Sequence, residues 1–558
     1  MRPIAAACLR QFHARLLPRS PINTILRLRF SSDLAPSDMS GIKRRNEANG
    51  SGEKRWKKKR TGKSDKKVGT GRFEGSPEDI LLDDIKSLLR ISQPEESVAE
   101  SATIEESAPE TFTEVEVTIS TLTSTGDGLG TSDDGKRIYV VPFTVPGDKV
   151  TARAIKNFPG YTTTDLVEVK QPSQDRKDDL VFCKYFGRCS GCQFQMLSYD
   201  YQLGHKRRVI EKAMKNYSNL DPSLIPTVGE VMSSPLSQGY RTKLTPHFDG
   251  PRKGGFKPSD PIPEIGFQAR GRRFVLDIED CPIGTQVVRD GMKSQRDFVK
   301  HNLHTFKRGA TLLLRESTRR TPLENDGSSN GNSEPQAYTD SKVCVTDSKT
   351  SITEYIDNFK FTFPAGSFFQ NNNSILSKFT AFVSEQLDIP SEDGQEHPQD
   401  SYMIDAYCGS GPFSICCGHK FKAILGVDIA SQSIESARRN AADNGIHNAR
   451  FITGNAEAIF ADVDFPPDRT SIVIDPPRKG CDELFLQQLL KLGPKRIVYI
   501  SCNVHTMSRD IGWFIDSSAG SYVIEKVGGF DFFPQVSLHP DVITALSAIY
   551  EYLYTNAK

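Results

Sequence analysis

The alternation of short apolar runs with helical stretches after residue 361 is the feature that most constrains the fold of this chain. The pattern predicts a helix at 431–444 and strands at 403–407, 423–427, 472–474 and 496–500. Such alternation indicates a mostly parallel, doubly wound α/β sheet with helices on both faces. Ligands bind beside the carboxyl ends of the strands in sheets of this kind. We therefore expect a Rossmann-like domain over 361–558 with its site at that edge.

Two loops at this edge suit a nucleoside ligand. The glycine-rich stretch Asp405-Ala406-Tyr407-Cys408-Gly409-Ser410-Gly411 ends the first predicted strand, and its glycines let the backbone approach a ligand closely. Asp428 ends the next strand, where a carboxylate can accept both hydroxyls of a ribose. The loop lacks the full G-x-G-x-x-G pattern, which favours a nucleoside without a diphosphate. A plain tight turn is the alternative interpretation.

A second carboxylate strengthens the case for a cleft. Asp475-Pro476-Pro477-Arg478 follows the strand predicted at 472–474, and two consecutive prolines stiffen the loop that holds Asp475. Asn455, which follows Gly454, is placed to face an adenine, although capping of its own loop would explain it equally well.

Cys502 is the cysteine placed to act on a substrate. The triplet Ser501-Cys502-Asn503 follows the strand predicted at 496–500 and therefore lies at the ligand-binding edge. A lone cysteine is more often a buried and inert side chain. Its position beside a nucleoside site instead favours a covalent nucleophile, which reacts as the thiolate.

Five ordered motifs resemble those of the RNA uracil-5-methyltransferase family, and most of all its fungal tRNA enzymes. The motifs are Phe368-Phe369-Gln370-Asn371-Asn372, the glycine-rich loop, Gly426-Val427-Asp428, Asp475-Pro476-Pro477-Arg478 and Ser501-Cys502-Asn503. The resemblance covers roughly residues 112–541. It implies an S-adenosylmethionine site and Cys502 as the nucleophile. The implied cofactor-binding residues are Gln370, Tyr407, Asp428 and Asp475, with Gly409 and Asn455 as further candidates.

The implied reaction explains why a thiolate is needed. C5 of uracil is too weak a nucleophile to attack a sulfonium methyl group. Addition of the Cys502 thiolate to C6 gives C5 carbanion character, the methyl group is transferred, a base removes the C5 proton, and the thiolate leaves.

This chain departs from the family pattern at two positions. Asp428 stands where the family usually has Glu. The C-terminal motif usually reads F-P-x-T-x-H-x-E, and its Glu is the base. Here the stretch Phe533-Pro534-Gln535-Val536-Ser537-Leu538-His539-Pro540-Asp541 is one residue longer and ends in Asp. Asp541 is therefore our candidate base, and an impaired active site is the rival interpretation.

The N-terminal part carries targeting signals and little hydrophobic sequence. Residues 1–32 contain several arginines and no acid, which is typical of a mitochondrial transit peptide. Residues 33–110 are polar and predict disorder, and they include a basic run at 54–60 that resembles a nuclear localisation signal. With Met1 and Met39 as possible starts, we expect a protein of mitochondria, of the nucleus and cytoplasm, or of both.

Short alternating strands over 111–172 predict a small OB-like barrel, which the resemblance identifies as a TRAM RNA-binding domain. Residues 173–360 predict a mixed α+β domain with a polar surface insertion at 319–340. Aromatic and basic residues interleave at 199–208 and 239–243. We interpret both stretches as RNA contacts, with an ordinary solvated face as the alternative.

Four cysteines of the central region could hold a metal. Cys183, Cys189, Cys192 and Cys281 supply four thiolates, which suit zinc or an iron–sulfur cluster. The spacing does not choose between them, and free thiols are a third possibility. The resemblance favours a [4Fe-4S] cluster, because some family members carry one at matching positions. The chain has eleven cysteines, an odd number that argues against a secreted disulfide framework.

We expect a tRNA substrate, methylated at the T-loop uridine, with ribosomal RNA as the alternative. A net charge of +1 neither supports nor excludes a nucleic-acid partner. No apolar run is long enough to span a membrane, and we expect a monomer.

The rival functions are a non-catalytic RNA-binding protein and a DNA cytosine-C5 methyltransferase. The usual Pro-Cys nucleophile motif of the latter is absent here.

Overall fold

The computed structural model describes only part of the chain. It covers residues 75–92, 108–132, 137–251, 254–323, 338–389, 400–454, 460, 463–537 and 541–548, with the backbone alone described at 90–92 and 541–548. All of these residues belong to the second of two units, Met1–Val68 and Gly69–Lys558. The predicted targeting segment, the basic run at 54–60 and Asn455 lie outside the described residues. No described helix is long and apolar enough to cross a membrane.

A helix interrupts the N-terminal stretch that the sequence predicted to be disordered. Helix α1 (Pro77–Ser92) begins with a proline and carries two acids in its first turn, a favourable start for a helix. Leu81, Ile85 and Leu88 form an apolar stripe at helical spacing and pack against the barrel described next. The prediction of disorder was wrong for this helix, because the polar composition around it masks a short amphipathic stripe.

Five strands close into the predicted barrel. They are β1 (Glu114–Leu122), β2 (Gly128–Thr131), β3 (Ile138–Val141), β4 (Lys149–Phe158) and β5 (Tyr161–Gln171). Their order around the barrel is β1-β2-β3-β5-β4. The alternating Val117 and Ile119 of β1 point into the barrel core. Gly130 allows the close approach of β2 to β1, since a Cβ atom there would lie 2.2 Å from the carbonyl oxygen of Thr118.

The central region combines two helices with short antiparallel strands, as predicted. Its elements are α2 (Tyr199–Tyr217), β6 (Lys243–Leu244), β7 (His247–Phe248), β8 (Gly266–Gln268), β9 (Val275–Asp277), α3 (Gln286–Asn302), β10 (Ala310–Thr311), β11 (Leu314–Pro322), β12 (Tyr338–Val345), β13 (Ser351–Ile356) and β14 (Phe359–Pro364). The sheets are β10-β7-β8-β9, β12-β11-β6 and β13-β14.

The predicted insertion at 319–340 begins and ends in β-strands. β11 and β12 pair across it, from Arg315 with Val345 to Pro322 with Tyr338. β12 is largely exposed, so it lacks the apolar alternation by which a strand is normally recognised.

The C-terminal region contains the predicted doubly wound sheet. Its strands are β15 (Tyr402–Ala406), β16 (Ala423–Asp428), β17 (Ala449–Thr453), β18 (Thr470–Ile474), β19 (Arg496–Ser501), β20 (Tyr522–Phe530) and β21 (Asp541–Ala548). They lie in the order β17-β16-β15-β18-β19-β21-β20. The helices of this region are α4 (Leu376–Gln386), α5 (Pro412–Cys416), α6 (Ser431–Asp443), α7 (Glu483–Leu492) and α8 (Val504–Ser517).

The direction of these strands fixes the position of the site. β17, β16, β15, β18 and β19 run parallel, and the strand order reverses on either side of β15. β21 runs antiparallel between β19 and β20. Apolar side chains on the two faces of the sheet belong to two separate core clusters. The carboxyl ends of β15, β16, β18 and β19 therefore form one cleft, where a ligand is expected.

We predict that the buried Ile85 keeps α1 on the barrel. Ile85 is 4% exposed, and its replacement by Ala should cost about 2–5 kcal/mol of local packing energy. Amide hydrogen exchange in α1 should become at least about thirtyfold faster, since 1.4 kcal/mol corresponds to a factor of ten. Lys86→Ala, on the exposed side of the same turn, is the matched control. Unchanged protection of α1 in Ile85→Ala would contradict this account of its docking.

Candidate active site at the carboxyl ends of the strands

The glycine-rich turn after β15 presents backbone to open space. Tyr407, Gly409 and Gly411 all have positive φ angles, of 65°, 55° and 85°. A Cβ atom on Gly409 would meet no atom within 4 Å. This glycine is therefore needed for its backbone conformation, and the space beside it is available to a ligand.

Asp428 is oriented by backbone N–H groups on both of its oxygens. Gly409 N donates to Oδ2 at 3.0 Å and Ala430 N donates to Oδ1 at 2.8 Å. A carboxylate oxygen can accept more than one hydrogen bond, so both oxygens can still accept from ligand hydroxyls. Asp428, which is shorter than the Glu usual in the family, is thus hydrogen-bonded to the glycine-rich turn itself.

Four of the predicted cofactor residues line one cavity. Gln370, Tyr407, Gly409 and Asp475 share its wall with Phe368 and Phe413. Asp428 adjoins them through its bond to Gly409. The cleft brings these five predicted residues together, and Asn455 lies outside the described part of the chain.

Two exposed apolar side chains lie beside this cleft, and the sequence pattern did not predict a role for either of them. Phe368 is 76% exposed at the wall of the cavity, and Ile429 is 75% exposed directly after Asp428. Both offer exposed apolar surface for packing against a ring, and Phe368 offers the flat face of an aromatic ring. The sequence feature that could have indicated them is a large apolar residue next to a motif that binds a polar ligand.

Burial gives two carboxyl groups of the sheet an unusually high proton affinity. The pKa of Asp475 is raised to about 7, first by burial and then by the nearby Asp405. Burial likewise raises the pKa of Asp405 to about 7, although Ser414 donates two hydrogen bonds to it, from N at 3.0 Å and from Oγ at 2.6 Å. Asp405 therefore has hydrogen-bond partners inside the protein, whereas Asp475 faces the cavity. A cation in the cleft would favour ionised Asp475.

The loop that carries Cys502 is bound to the loop that carries Asp475. Cys502 is partly exposed at the end of β19. The side-chain amide of Asn503 donates to the carbonyl of Arg478 at 3.1 Å, and Thr506 Oγ1 donates to the same oxygen at 3.1 Å. Cys417, elsewhere in this domain, is buried, and burial raises its pKa to about 12, which makes this cysteine a poor nucleophile.

The strand register brings Asp541 to the same edge. Val542 of β21 pairs with Ser501 of β19, so the next position of this antiparallel register sets Asp541 opposite Cys502. Asp541 also pairs with Phe530 of β20. The backbone therefore places the predicted nucleophile and the predicted base at neighbouring positions of the cleft.

Comparison with known proteins gives the family. Residues 345–540 match the family model tRNA (Uracil-5-)-methyltransferase, and residues 110–167 match the TRAM domain. A tRNA (uracil(54)-C(5))-methyltransferase of Schizosaccharomyces pombe is 47% identical over 85% of this chain and 84% of its own. The chain belongs to the tRNA (uracil-5-)-methyltransferase family.

Two further comparisons support this assignment and the fold. The tRNA (uracil(54)-C(5))-methyltransferase of Saccharomyces cerevisiae is 39% identical to this methyltransferase over 74% of this chain and 70% of its own. The tRNA (uracil-54, C5)-methyltransferase of Pyrococcus abyssi, solved with S-adenosyl-L-homocysteine, matches with a TM-score of 0.54. It covers 77% of this chain and all of its own at 20% identity, a likeness of fold. The predicted α/β methyltransferase fold with a TRAM barrel is confirmed.

The four candidate metal ligands of this methyltransferase share one cavity of about 220 Å³. Cys183, Cys189, Cys192 and Cys281 all line it, together with Arg241. Burial raises the pKa of Cys192 and of Cys281 to about 12. Among the described residues, however, no three His, Cys, Asp or Glu side chains are arranged to hold a metal ion. The four cysteines around this cavity are the donors that the predicted cluster would need, and the cluster itself stays a prediction.

Several residues predicted to contact RNA are buried in the methyltransferase instead. Lys206 is wholly buried and forms an ion pair with Asp531, and His205 and Tyr240 are also buried. Arg207 is part-exposed but is paired with Glu211 and Glu230. The interpretation of 199–208 as an RNA-contacting face was wrong for its buried members, because their partners lie hundreds of residues away in sequence.

We predict that Asp428→Ala weakens S-adenosylmethionine binding by about 10- to 150-fold. Hydrogen bonds to a charged acceptor contribute roughly 1.5–3 kcal/mol. Titration calorimetry with S-adenosylmethionine measures this directly. Glu435→Ala, an exposed acid on the following helix, is the control. Unchanged affinity in Asp428→Ala would mean that the ribose lies elsewhere.

Proposed function

We propose that this methyltransferase forms 5-methyluridine in tRNA, at the T-loop uridine, with S-adenosylmethionine as methyl donor. The observation that carries the proposal is the convergence of Cys502, the Asp475 loop and the start of β21 at one sheet edge. The names of the two yeast relatives support tRNA as the substrate.

The mechanism we propose uses residues of this edge. The Cys502 thiolate adds to C6 of the uracil, and the electron pair that develops at C5 takes the methyl group from the sulfonium. Asp541 then removes the proton from C5, and elimination expels the thiolate and restores the ring. Gln370, Tyr407, Asp428 and Asp475 bind the methyl donor, and the exposed Phe368 offers a surface on which the flipped base can stack.

A groove between the barrel and the central region supports an RNA partner. It has a volume of about 690 Å³, and its walls include Arg188, Arg270, Arg272 and the exposed Phe274. Arginine and an exposed aromatic ring together suit phosphate contact and base stacking. Arg270 and Arg272 are held in place by ion pairs with Asp127 and Asp165.

The substrate is tested by mapping 5-methyluridine in tRNA and ribosomal RNA from cells with and without this protein. Loss confined to the tRNA T-loop supports the proposal. Loss confined to ribosomal RNA would replace it with the alternative substrate. Mapping in separated mitochondrial and cytosolic RNA also tests the predicted dual localisation, and gel filtration tests the predicted monomer.

We predict that Cys502→Ala abolishes methylation and leaves S-adenosylmethionine affinity nearly unchanged, because the thiol acts on uracil. It should also fail to form a covalent adduct with 5-fluorouracil RNA. Cys344→Ala removes a partly exposed cysteine remote from the cleft and should keep both activities. Turnover of Cys502→Ala near the wild-type rate would rule out covalent catalysis.

We predict that Asp541→Asn stalls after methyl transfer. The C5 proton then stays in place, the thiolate cannot leave, and a methylated protein–RNA adduct accumulates on unmodified tRNA. A carboxylate base typically contributes about a hundredfold or more to the rate. Denaturing gels and mass spectrometry detect the adduct, and Cys502→Ala/Asp541→Asn should form none. Wild-type turnover in Asp541→Asn would assign proton removal to another group.

We further propose that Cys183, Cys189, Cys192 and Cys281 hold a [4Fe-4S] cluster, in a structural role. Anaerobically purified protein is expected to be brown and to contain iron and acid-labile sulfide. Cys281→Ala should lose the iron, whereas Cys344→Ala should keep it. A colourless protein with stoichiometric zinc would replace the cluster with the zinc alternative.

A further inference from the structure

The segment from Asp531 to Ser537, which we name the clamp segment, precedes β21 and is bound along its length by buried side chains. We propose that helix α2, through Gln202 and Lys206, acts on the clamp segment as a positioning device for Asp541. This inference rests on the proposed role of Asp541 as base. It goes further by assigning a task to residues that do not touch the substrate.

The first contact is a fully buried ion pair at the start of the clamp segment. Lys206 Nζ binds Asp531 Oδ1, with both side chains wholly inaccessible to solvent. Lys206 Nζ also donates to the carbonyl of Phe533 at 2.9 Å, and Tyr199 donates its hydroxyl to Asp531 Oδ2 at 2.9 Å. The first two turns of α2 thus hold both a side chain and the backbone of the clamp segment.

The second contact is a reciprocal pair of glutamines. Gln535 N donates to Gln202 Oε1 at 3.0 Å, and Gln202 Nε2 donates to Gln535 Oε1 at 3.1 Å. Gln535 has a φ angle of 74°, which is uncommon for a residue with a side chain. The bonds from Gln202 hold the chain in this bend, after which it continues toward β21.

The third set of contacts fixes the far end of the clamp segment. His205 Nε2 and Ser537 Oγ lie 3.1 Å apart, and Ser537 Oγ donates to the carbonyl of Ser124 in the barrel region at 3.0 Å. Gln193 N donates to the carbonyl of Gln535 at 2.7 Å, and Gln193 Oε1 accepts from Ser537 N at 3.1 Å. The last described residue before β21 is therefore bound from three directions.

These bonds fix the position of the clamp segment. A buried ion pair is weak evidence for stability, because removing two charges from water is costly, and fixing one conformation is its better-attested use. Proton removal needs the base within hydrogen-bond reach of C5, and a displacement of about 1 Å can cost a hundredfold in rate. Addition of Cys502 and methyl transfer do not require Asp541. The clamp segment should therefore control product release selectively.

The test compares Gln202→Met and Lys206→Met/Asp531→Asn with the wild type in the full chain. Each variant removes bonds at nearly constant side-chain size, and the double variant removes both buried charges together. We expect a methylated adduct to accumulate on unmodified tRNA and product release to slow by about tenfold or more. The rate of adduct formation with 5-fluorouracil RNA and the affinity for S-adenosylmethionine should change less than about twofold.

Two further variants keep the inference falsifiable. Gln193→Ala removes a partly exposed side chain and should show the same selective stall even if the buried variants fold poorly. Glu211→Ala, an exposed acid on the opposite face of α2 from Gln202, should behave like the wild type. Equal slowing of adduct formation and release, or wild-type release in Gln202→Met and Gln193→Ala, would overturn the positioning role.

The same assays separate failure of this inference from failure of the proposed base. If Asp541→Asn turns over normally, Asp541 is not the base. If Asp541→Asn stalls while Gln202→Met and Gln193→Ala release product normally, Asp541 keeps its role and the positioning by α2 is wrong.

Discussion

The antiparallel placement of β21 between β19 and β20 is the constraint on which the proposed chemistry depends. Parallel strands end at the ligand-binding edge, so residues that follow them, such as Asp475 and Cys502, meet there. An antiparallel strand starts at that edge instead. Asp541 begins β21, and the pairing of Val542 with Ser501 brings its backbone opposite Cys502. A parallel strand at this position would have placed Asp541 at the far side of the sheet.

The remaining domains are tied to this edge by few but specific bonds. Asp84 of α1 accepts from Ser124 N in the barrel region at 2.6 Å and from Lys212 of α2 at 3.1 Å. Asn503, next to Cys502, donates to the carbonyl of Gly75 just before α1 at 3.3 Å. Helix α1 and the residue pair before it thus contact the barrel region, α2 and the loop of Cys502. The barrel is in this way connected to the cleft through hydrogen bonds as well as through the chain.

The parts that the sequence predicted well are those whose burial is decided locally. Strands β15, β16 and β18 begin and end within two residues of their predicted limits, because a strand buried on both faces is a continuous apolar run. The roles of Lys206 and His205 could not be predicted in this way. The burial of Lys206 depends on Asp531, which lies 325 positions away, and local composition shows only a basic helix. Helix α1 and the β11–β12 pair were not predicted, because short amphipathic or exposed elements resemble loops in composition.

The charge of the cleft gives a physical reason for a cationic methyl donor. The cavity that contains Gln370 and Asp475 is lined by described residues without lysine or arginine, and Asp428 lies beside it. With its pKa raised to about 7 by burial, Asp475 binds a proton readily when no cation is present. A sulfonium in the cleft supplies the missing positive charge and favours the ionised carboxylate. Methyl transfer converts that sulfonium into a neutral thioether, so the attraction due to the sulfonium charge is lost in the product. The carboxylate of Asp475 therefore favours binding of the reactive cofactor over the spent one.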